Sequence, residues 1–184
     1  MDTHLQRQKT IISFLGLGGA GRTMCTNLVD THRQYIRCFA MDKSDHDDSN
    51  FQLDAISEVP PRSTFLVCGT YHTCVDHWVS ASENSNPRVV VVGLGGEVGT
   101  KLFLKHLADE RLAQTECVCF LPFAFEGTKR MAKAQDALIE AKRYTRKLRV
   151  FPNQDLFQGA HPKETFTEAF KRQAELIIEQ VSLG

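Results

Sequence analysis

Residues 11–23 read IISFLGLGGAGRT, an apolar run of strand length followed at once by a glycine-rich turn and a helical segment. Such a turn lets the backbone approach a phosphate closely, and the N–H groups at the start of the next helix attract it. Gly16, Gly18 and Gly21 also match the dinucleotide pattern G-x-G-x-x-G, and Asp42 lies about twenty residues further on, where a ribose-binding acid is expected. The alternative is that these glycines only permit tight packing of helix on strand.

A second loop of the same kind follows the apolar run Val89 to Val92. Residues 93–100 read GLGGEVGT, which is again a glycine turn between a strand and a helix. An ordinary NAD-binding domain does not need a second glycine-rich phosphate loop. Two phosphate-type loops at the ends of neighbouring strands fit a nucleotide triphosphate bound at the switch point of a doubly wound sheet.

Short β-branched or aromatic runs alternate along the chain with longer segments of helical period, which is typical of βαβ units. We therefore predict an α/β fold: a Rossmann-like, doubly wound, mostly parallel sheet of about six strands with helices on both faces. The predicted strands are Ile11–Leu15, Tyr35–Met41, Phe65–Cys68, Arg88–Val92, Glu116–Leu121 and Leu148–Phe151. The predicted helices are Gly19–Thr31, Thr73–Ser82, Gly96–Arg111, Gly127–Arg146 and Glu164–Val181, with SENSNP from Ser82 as a turn.

Length, charge balance and the distribution of apolar residues exclude several classes of protein. At 184 residues and 42% hydrophobic, the chain is expected to form one domain, residues 1–184. Its 22 basic and 22 acidic residues cancel, so no global field favours nucleic acid as a partner. No signal peptide and no apolar run of membrane-spanning length is present, and the six cysteines fall mostly in apolar runs. A cytoplasmic protein without membrane insertion is expected.

Several segments resemble the nucleotide-binding, N-terminal domain of the FtsZ/tubulin superfamily. Residues 12–28 resemble its first nucleotide loop, and residues 89–100 are similar to a degraded form of its signature loop G-G-G-T-G-[ST]-G. Residues 122–130, PFAFEGTKR, match the family segment P-F-x-F-E-G-x-x-R almost letter for letter, and residues 151–156, FPNQDL, resemble I-P-N-D-x-L. The resemblance implies a divergent FtsZ-like protein that binds GTP or GDP, with Mg²⁺ as a candidate companion ion.

The resemblance also assigns roles to individual residues. Glu126 corresponds to the ribose-binding glutamate, Arg130 to an arginine at the nucleotide, and Asn153 to an asparagine that contacts guanine. Phe170 and Glu175 correspond to the base-stacking aromatic and the guanine-binding carboxylate, although packing in the core is an equal interpretation of Phe170. The complete predicted nucleotide site is Gly16, Gly18, Gly19, Gly21, Arg22, Asp42, Gly95, Gly96, Gly99, Thr100, Glu126, Arg130, Asn153, Phe170 and Glu175. No catalytic residue and no metal ligand is predicted.

The sequence also departs from the family pattern. Glu97, Val98 and Lys101 replace glycine, threonine and glycine of the signature loop, and a carboxylate beside a phosphate weakens binding. The resemblance covers only the family's first domain, without the second domain that supplies the acidic loop for GTP hydrolysis, so whether the chain is an enzyme stays open. The expected function is guanine-nucleotide binding in a cell-division or cytoskeletal setting, through contacts with a second copy or an FtsZ-like protein. The alternatives are an NAD(P)-binding oxidoreductase and an FtsZ-like interaction module that has lost nucleotide.

Overall fold

The structure is a computed structural model that describes residues 11–31, 36–42, 71–83, 85–110, 114–158 and 163–182. Five strands are present in these ranges: β1 Ile11–Leu17, β2 Ile36–Met41, β3 Ser85–Gly93, β4 Glu116–Leu121 and β5 Leu148–Pro152. Five α-helices accompany them: α1 Gly18–Thr31, α2 Tyr71–Ala81, α3 Glu97–Leu107, α4 Thr128–Tyr144 and α5 Phe166–Ser182. Two short 3₁₀ helices, Ala124–Glu126 and Asn153–Phe157, follow β4 and β5.

The five strands form one parallel sheet in the order β2-β1-β3-β4-β5. The predicted doubly wound α/β fold is therefore confirmed. The predicted strand Phe65–Cys68 lies outside the described residues. The other predicted strands and helices agree with the observed ones within a few residues at each end.

Both faces of the sheet are covered, because side chains alternate along each strand. Leu15 and Leu17 of β1 pack on the face covered by α2, α3 and α4. Ile12 and Phe14 pack on the opposite face, which α1 and α5 cover. The run Val89 to Val92 is completely buried, as expected of a central parallel strand.

Strand β3 begins earlier than the sequence predicts. The segment from Ser82, predicted to be a turn, already enters the sheet at Ser85, which pairs with Ile11. The next register pair joins Ser13 to Arg88, so β3 carries one extra residue between the two pairs. A bulge accommodates Pro87 because the extra residue need not donate a ladder hydrogen bond.

In the last helix, the spacing of Phe166, Phe170, Ala174, Ile177 and Val181 at steps of three or four residues predicts one apolar stripe that faces the sheet. The prediction is correct only in part. Ala174, Ile177 and Val181 are buried on the sheet, but Phe166 is 53% exposed. Phe166 contacts Phe157 edge-on, with ring centroids 5.4 Å apart, and does not join the core on the sheet face. The first turn of α5 therefore packs on the 3₁₀ helix after β5, which sequence periodicity alone does not reveal.

The cysteines whose side chains the structure describes are Cys25, Cys38, Cys117 and Cys119, and all are free and buried. Burial raises the pKa of Cys117 to about 12, with Glu116 adding to the effect. These thiols are buried groups of the hydrophobic core, as predicted from their apolar surroundings.

Candidate nucleotide-binding site

The two glycine loops lie side by side at the carboxyl edge of the sheet. Strands β1 and β3 are neighbours, but α1 covers one face of the sheet and α3 the other. Connections that leave neighbouring strands in opposite directions open a crevice between them, which is where doubly wound proteins bind ligands.

The first turns of α1 and α3 are in direct contact across this crevice. Gly18 has a φ of +69°, and a Cβ placed on it would lie 2.7 Å from Gly99 Cα and 2.8 Å from Gly99 N. A Cβ on Gly99 would in turn lie 3.0 Å from the Leu17 carbonyl oxygen. A Cβ at Gly18 would clash with α3, and one at Gly99 would be tight against β1. The two helix N-termini therefore meet at one point, where their N–H groups attract an anion.

Gly16 and Gly21 serve the packing of α1 against the sheet. A Cβ on Gly16 would lie 2.5 Å from the Gly21 carbonyl oxygen, and one on Gly21 would lie 2.5 Å from the Val91 carbonyl oxygen. Both residues are buried, whereas Gly19 and Ala20 are exposed. The packing interpretation therefore accounts for these two glycines. Gly18 is buried against α3, and the open part of the loop is Gly19 and Ala20.

A hydrogen bond to the hydroxyl group of Thr100 fixes the conformation of the second loop. Gly95, with a φ of +86°, donates its N–H to the Thr100 Oγ1 at 2.9 Å, and Thr100 is buried. Gly96 is the N-cap of α3 and provides no side-chain acceptor for the first turn of the helix. Glu97, the first residue of α3, is exposed there, where a carboxylate stabilises the helix dipole.

A third element, the start of α4, reaches the second loop. A Cβ on Gly95 would lie 2.5 Å from the Arg130 carbonyl oxygen, and one on Gly96 would lie 3.8 Å from Arg130 Nη2. Arg130 Nη1 contacts Glu126 Oε2 at 2.9 Å, while Glu126 Oε1 accepts a hydrogen bond from Phe123 N at 2.8 Å. The structure therefore brings the predicted residues Glu126 and Arg130 to the signature loop.

The end of β2 contributes Asp42 to the other side of the crevice. Asp42 Oδ2 lies 3.6 Å from Arg22 Nη1 and 3.6 Å from the position of a Cβ on Gly19. The acid predicted at the end of β2 therefore meets the first turn of α1. Arg22 and Arg130 place one cation beside each loop.

The residues predicted to contact the base lie on two elements, the 3₁₀ helix after β5 and helix α5. Asn153 begins the 3₁₀ helix after β5, and its Oδ1 is buried without a hydrogen-bond partner among the described residues. Phe170 is half-buried against Leu156 and Ala169. Glu175 is exposed and lines a groove between β5 and α5. It lies about 140° around α5 from Phe170, because each residue turns an α-helix by about 100°. Phe170 and Glu175 therefore lie on different sides of α5.

Sequence reasoning missed an aromatic cluster beside Glu126. Phe123 is buried and stacks on Phe125, with ring centroids 4.9 Å apart and planes 11° apart. Phe157 and Phe166 pack around the same ring at 5.6 and 6.1 Å. The spacing of phenylalanines in PFAF was the available signal, but the contribution of the two later residues depends on the fold.

In the described ranges, no helix is long and apolar enough to cross a membrane. The same residues contain no group of three or more His, Cys, Asp or Glu side chains arranged to hold a metal ion.

Curated sequences and solved structures that resemble the chain include the cell division protein FtsZ. No family model matches it. Cell division protein FtsZ of Rickettsia typhi is 40% identical over 94 residues, which are 50% of this chain and 21% of that protein. FtsZ of Caulobacter vibrioides is 31% identical over 176 residues, 88% of this chain and 34% of that protein. An empty FtsZ dimer from M. jannaschii has a TM-score of 0.62 and 25% identity, covering 97% of this chain and 55% of that one. The chain thus spans about a third or less of these two curated relatives.

Proposed function

Because the chain belongs to the FtsZ/tubulin superfamily and matches part of the length of its relatives, we propose that it binds a guanine nucleotide, GTP or GDP. The bound nucleotide would control contacts with a second copy of the chain or with an FtsZ-like protein. The setting we propose is cell division or the cytoskeleton, in the cytoplasm.

The observation that carries this proposal is the contact between the first turns of α1 and α3 at Gly18 and Gly99. Polyphosphate is the part of a nucleotide that two convergent helix N-termini would bind. Arg22 and Arg130 flank the two loops, and each is paired with a carboxylate, Asp42 and Glu126, that orients it. Each guanidinium group has further N–H donors for a phosphate. The residues present therefore fit a polyphosphate.

Asn153 supports guanine as the base. Its buried Oδ1 is an acceptor without a partner among the described residues, and an unsatisfied buried acceptor favours a ligand that donates. Guanine offers a ring N–H and an amino group on one edge, whereas adenine does not offer that pair of donors. We keep Glu175 as a predicted second acceptor, which would have to be reached from its groove on α5.

The remaining predicted residues have more limited roles in this proposal. Glu126 holds Arg130 and retains acceptor capacity for a ribose hydroxyl, since a carboxylate has about four acceptor sites. Mg²⁺ bound to the phosphates would neutralise part of their charge and would keep several waters. In this proposal Asp42 would hold one of these waters. Phe170 would border the base while packing against Leu156.

We further propose that the 184-residue polypeptide hydrolyses GTP poorly by itself. Phosphoryl transfer needs a group that orients the attacking water in addition to charge neutralisation. Among the described carboxylates at the crevice, Asp42 and Glu126 each contact an arginine, and Glu97 is placed to stabilise the start of α3. None of the three is therefore an evident water-orienting group.

The test is calorimetric titration of the purified chain with GTP, GDP, ATP and NADH, together with the variant Gly18→Ala. We expect guanine nucleotides to bind most tightly and Gly18→Ala to abolish binding, because its Cβ overlaps Gly99. Gly127→Ala is the matched control, since Gly127 also has a positive φ, +98°, but a Cβ there meets nothing within 4 Å. Tighter binding of NADH would support the oxidoreductase, and no binding of any nucleotide would support the interaction module.

A further inference from the structure

Two buried thiols are neighbours in the contact between α1 and β2. Cys25 of α1 and Cys38 of β2 are both fully buried and belong to the same hydrophobic cluster. Burial raises the pKa of the Cys38 thiol well above its ordinary value, and the hydrogen bond and electrostatic interaction with the Cys25 thiol raise it further. The Cys25 thiol also donates a hydrogen bond to the carbonyl oxygen of Phe39, the next residue of β2, at 3.6 Å. A small movement of the two side chains would therefore bring the sulfur atoms to the S–S bond length of about 2.05 Å.

The other two thiols that the structure describes cannot form such a bond. Cys117 and Cys119 are also buried, but they are separated by one residue on β4 and point to the same face of the sheet. Side chains two residues apart on a strand are parallel and about 6.6 Å apart, whereas a disulfide needs Cβ atoms about 3.5–4.5 Å apart. The β4 pair differs from the first pair in geometry and not in burial, so it serves as a control within the chain.

The neighbouring thiols lie beneath the first glycine loop. A Cβ on Gly16 would lie 2.9 Å from Cys25 Sγ. Arg22, about one turn before Cys25 on α1, contacts Asp42, which follows the last residue of β2. A covalent bond between the two thiols would therefore tie together the elements that carry Arg22 and Asp42.

An oxidant reaches these buried thiols only when α1 opens, and the sequence of α1 favours opening. Three of its 14 residues are glycine and three are threonine, which are poor helix formers. The hydroxyl groups of Thr23, Thr26 and Thr31 bond to carbonyl groups four residues back, which slightly destabilises a helix. The first turn of α1 contains no acidic residue to stabilise the helix dipole. Local opening of α1 would expose both thiols, and reclosure would bring them together again.

We propose that Cys25 and Cys38 form a modification site at which a hydroperoxide, such as hydrogen peroxide, produces an intramolecular disulfide. One thiolate attacks a peroxide oxygen, the O–O bond breaks, and a sulfenic acid and hydroxide form. The second thiolate attacks the sulfenic sulfur, so that the S–S bond forms, the S–O bond breaks and hydroxide leaves. The protons lost by the two thiols convert both hydroxides to water, and two electrons pass from the sulfur atoms to the peroxide.

The disulfide would hold α1 on β2. It closes the loop of residues 25–38, and a cross-link of this kind stabilises the folded chain mainly by restricting the unfolded one. The proposal uses only the contact between α1 and β2, so its outcome is independent of whether the chain binds a nucleotide.

The test is tryptic peptide mapping of the full chain after treatment with hydrogen peroxide and blocking of the remaining thiols with N-ethylmaleimide. Trypsin places Cys25 on the peptide of residues 23–33 and Cys38 on the peptide of residues 38–43. We expect mass spectrometry to find these two peptides linked in the non-reduced digest and separate after reduction. The peptide of residues 112–129, which carries both β4 thiols, should keep both of them free to react with the maleimide.

Urea unfolding then shows whether the bond fits the native contact. Oxidation should raise the urea midpoint of the unaltered chain by about 1 M. It should leave the midpoint of Cys38→Ala unchanged, whereas the matched variant Cys117→Ala, which also truncates a buried thiol, should respond as the unaltered chain does. The proposal is overturned by the absence of a link between the two peptides or by an equal yield of disulfide within residues 112–129. A midpoint of the unaltered chain that stays constant or falls on oxidation would overturn it as well.

Discussion

Replacing Glu97 by glutamine is expected to tighten guanine-nucleotide binding about fivefold at low salt. Glu97 is the exposed first residue of α3 and lies among the N–H groups that would face a phosphate. Two unit charges ~7 Å apart interact by about 1 kcal/mol at an effective dielectric constant of ~50, which corresponds to a factor of about five. The same change should destabilise the empty protein by about 0.3–1 kcal/mol, because it removes a favourable charge from a helix N-terminus.

The affinity is measured by calorimetry with GDP, and stability by urea unfolding monitored through Trp78, the single tryptophan. Raising the salt from about 0.02 to about 0.5 M should reduce the gain in affinity, because exposed charges are screened. Glu110→Gln is the control, since it removes an exposed carboxylate more than ~15 Å along the chain from the start of α3. Unchanged affinity in Glu97→Gln, or an equal gain in Glu110→Gln, would refute the reasoning.

Three other outcomes are expected. Gly99→Ala should lower the free energy of unfolding by about 1–3 kcal/mol through overlap with the Leu17 carbonyl, whereas Gly96→Ala should change it by much less; equal urea midpoints for the two variants would contradict this. Burial lowers the pKa of His106 to about 4 from an ordinary value of 6.5, so stability should be complete above about pH 6.5 and fall by up to about 3 kcal/mol towards pH 4. His106→Met should flatten this profile in urea unfolding at several pH values, and an unchanged slope would exclude His106 as its origin. The purified polypeptide should release phosphate from GTP at the background rate at every protein concentration; turnover that rises steeply with concentration would reveal a water-orienting group that we have not identified.

The sheet was predictable because its central strands are uninterrupted apolar runs. Val89 to Val92 are apolar at every position, which only a strand buried on both faces requires. The start of β3 was not predictable in the same way. Pro87 and its polar neighbours have the composition of a turn, and only the pairing of Ser85 with Ile11 makes them part of the sheet.

The sequence predicted the position of the candidate site. It did not show which of its glycines are needed for close backbone packing and which border the ligand. Gly16 and Gly18 look equivalent in the pattern, because close backbone packing and phosphate binding both require the absence of a Cβ. The structure assigns Gly16 to packing against Gly21 and Gly18 to the contact with Gly99. Similarly, the sequence did not reveal that Phe170 packs with Leu156 and Ala169 or that Glu175 lines a groove beside β5.

The meeting of α1 and α3 also has a consequence for how the protein folds. Two helices whose positive ends touch repel each other electrostatically, so the empty protein carries an unfavourable term that an anion at Gly18 and Gly99 would remove. Whatever binds there binds the folded chain alone and raises its stability by RT ln(1 + [L]/Kd), about 2.7 kcal/mol at a hundredfold excess over Kd. Ligand concentration would then set the amount of folded protein as well as its state, so that the cell's nucleotide pool would act on the abundance of this protein before it acts on its assembly.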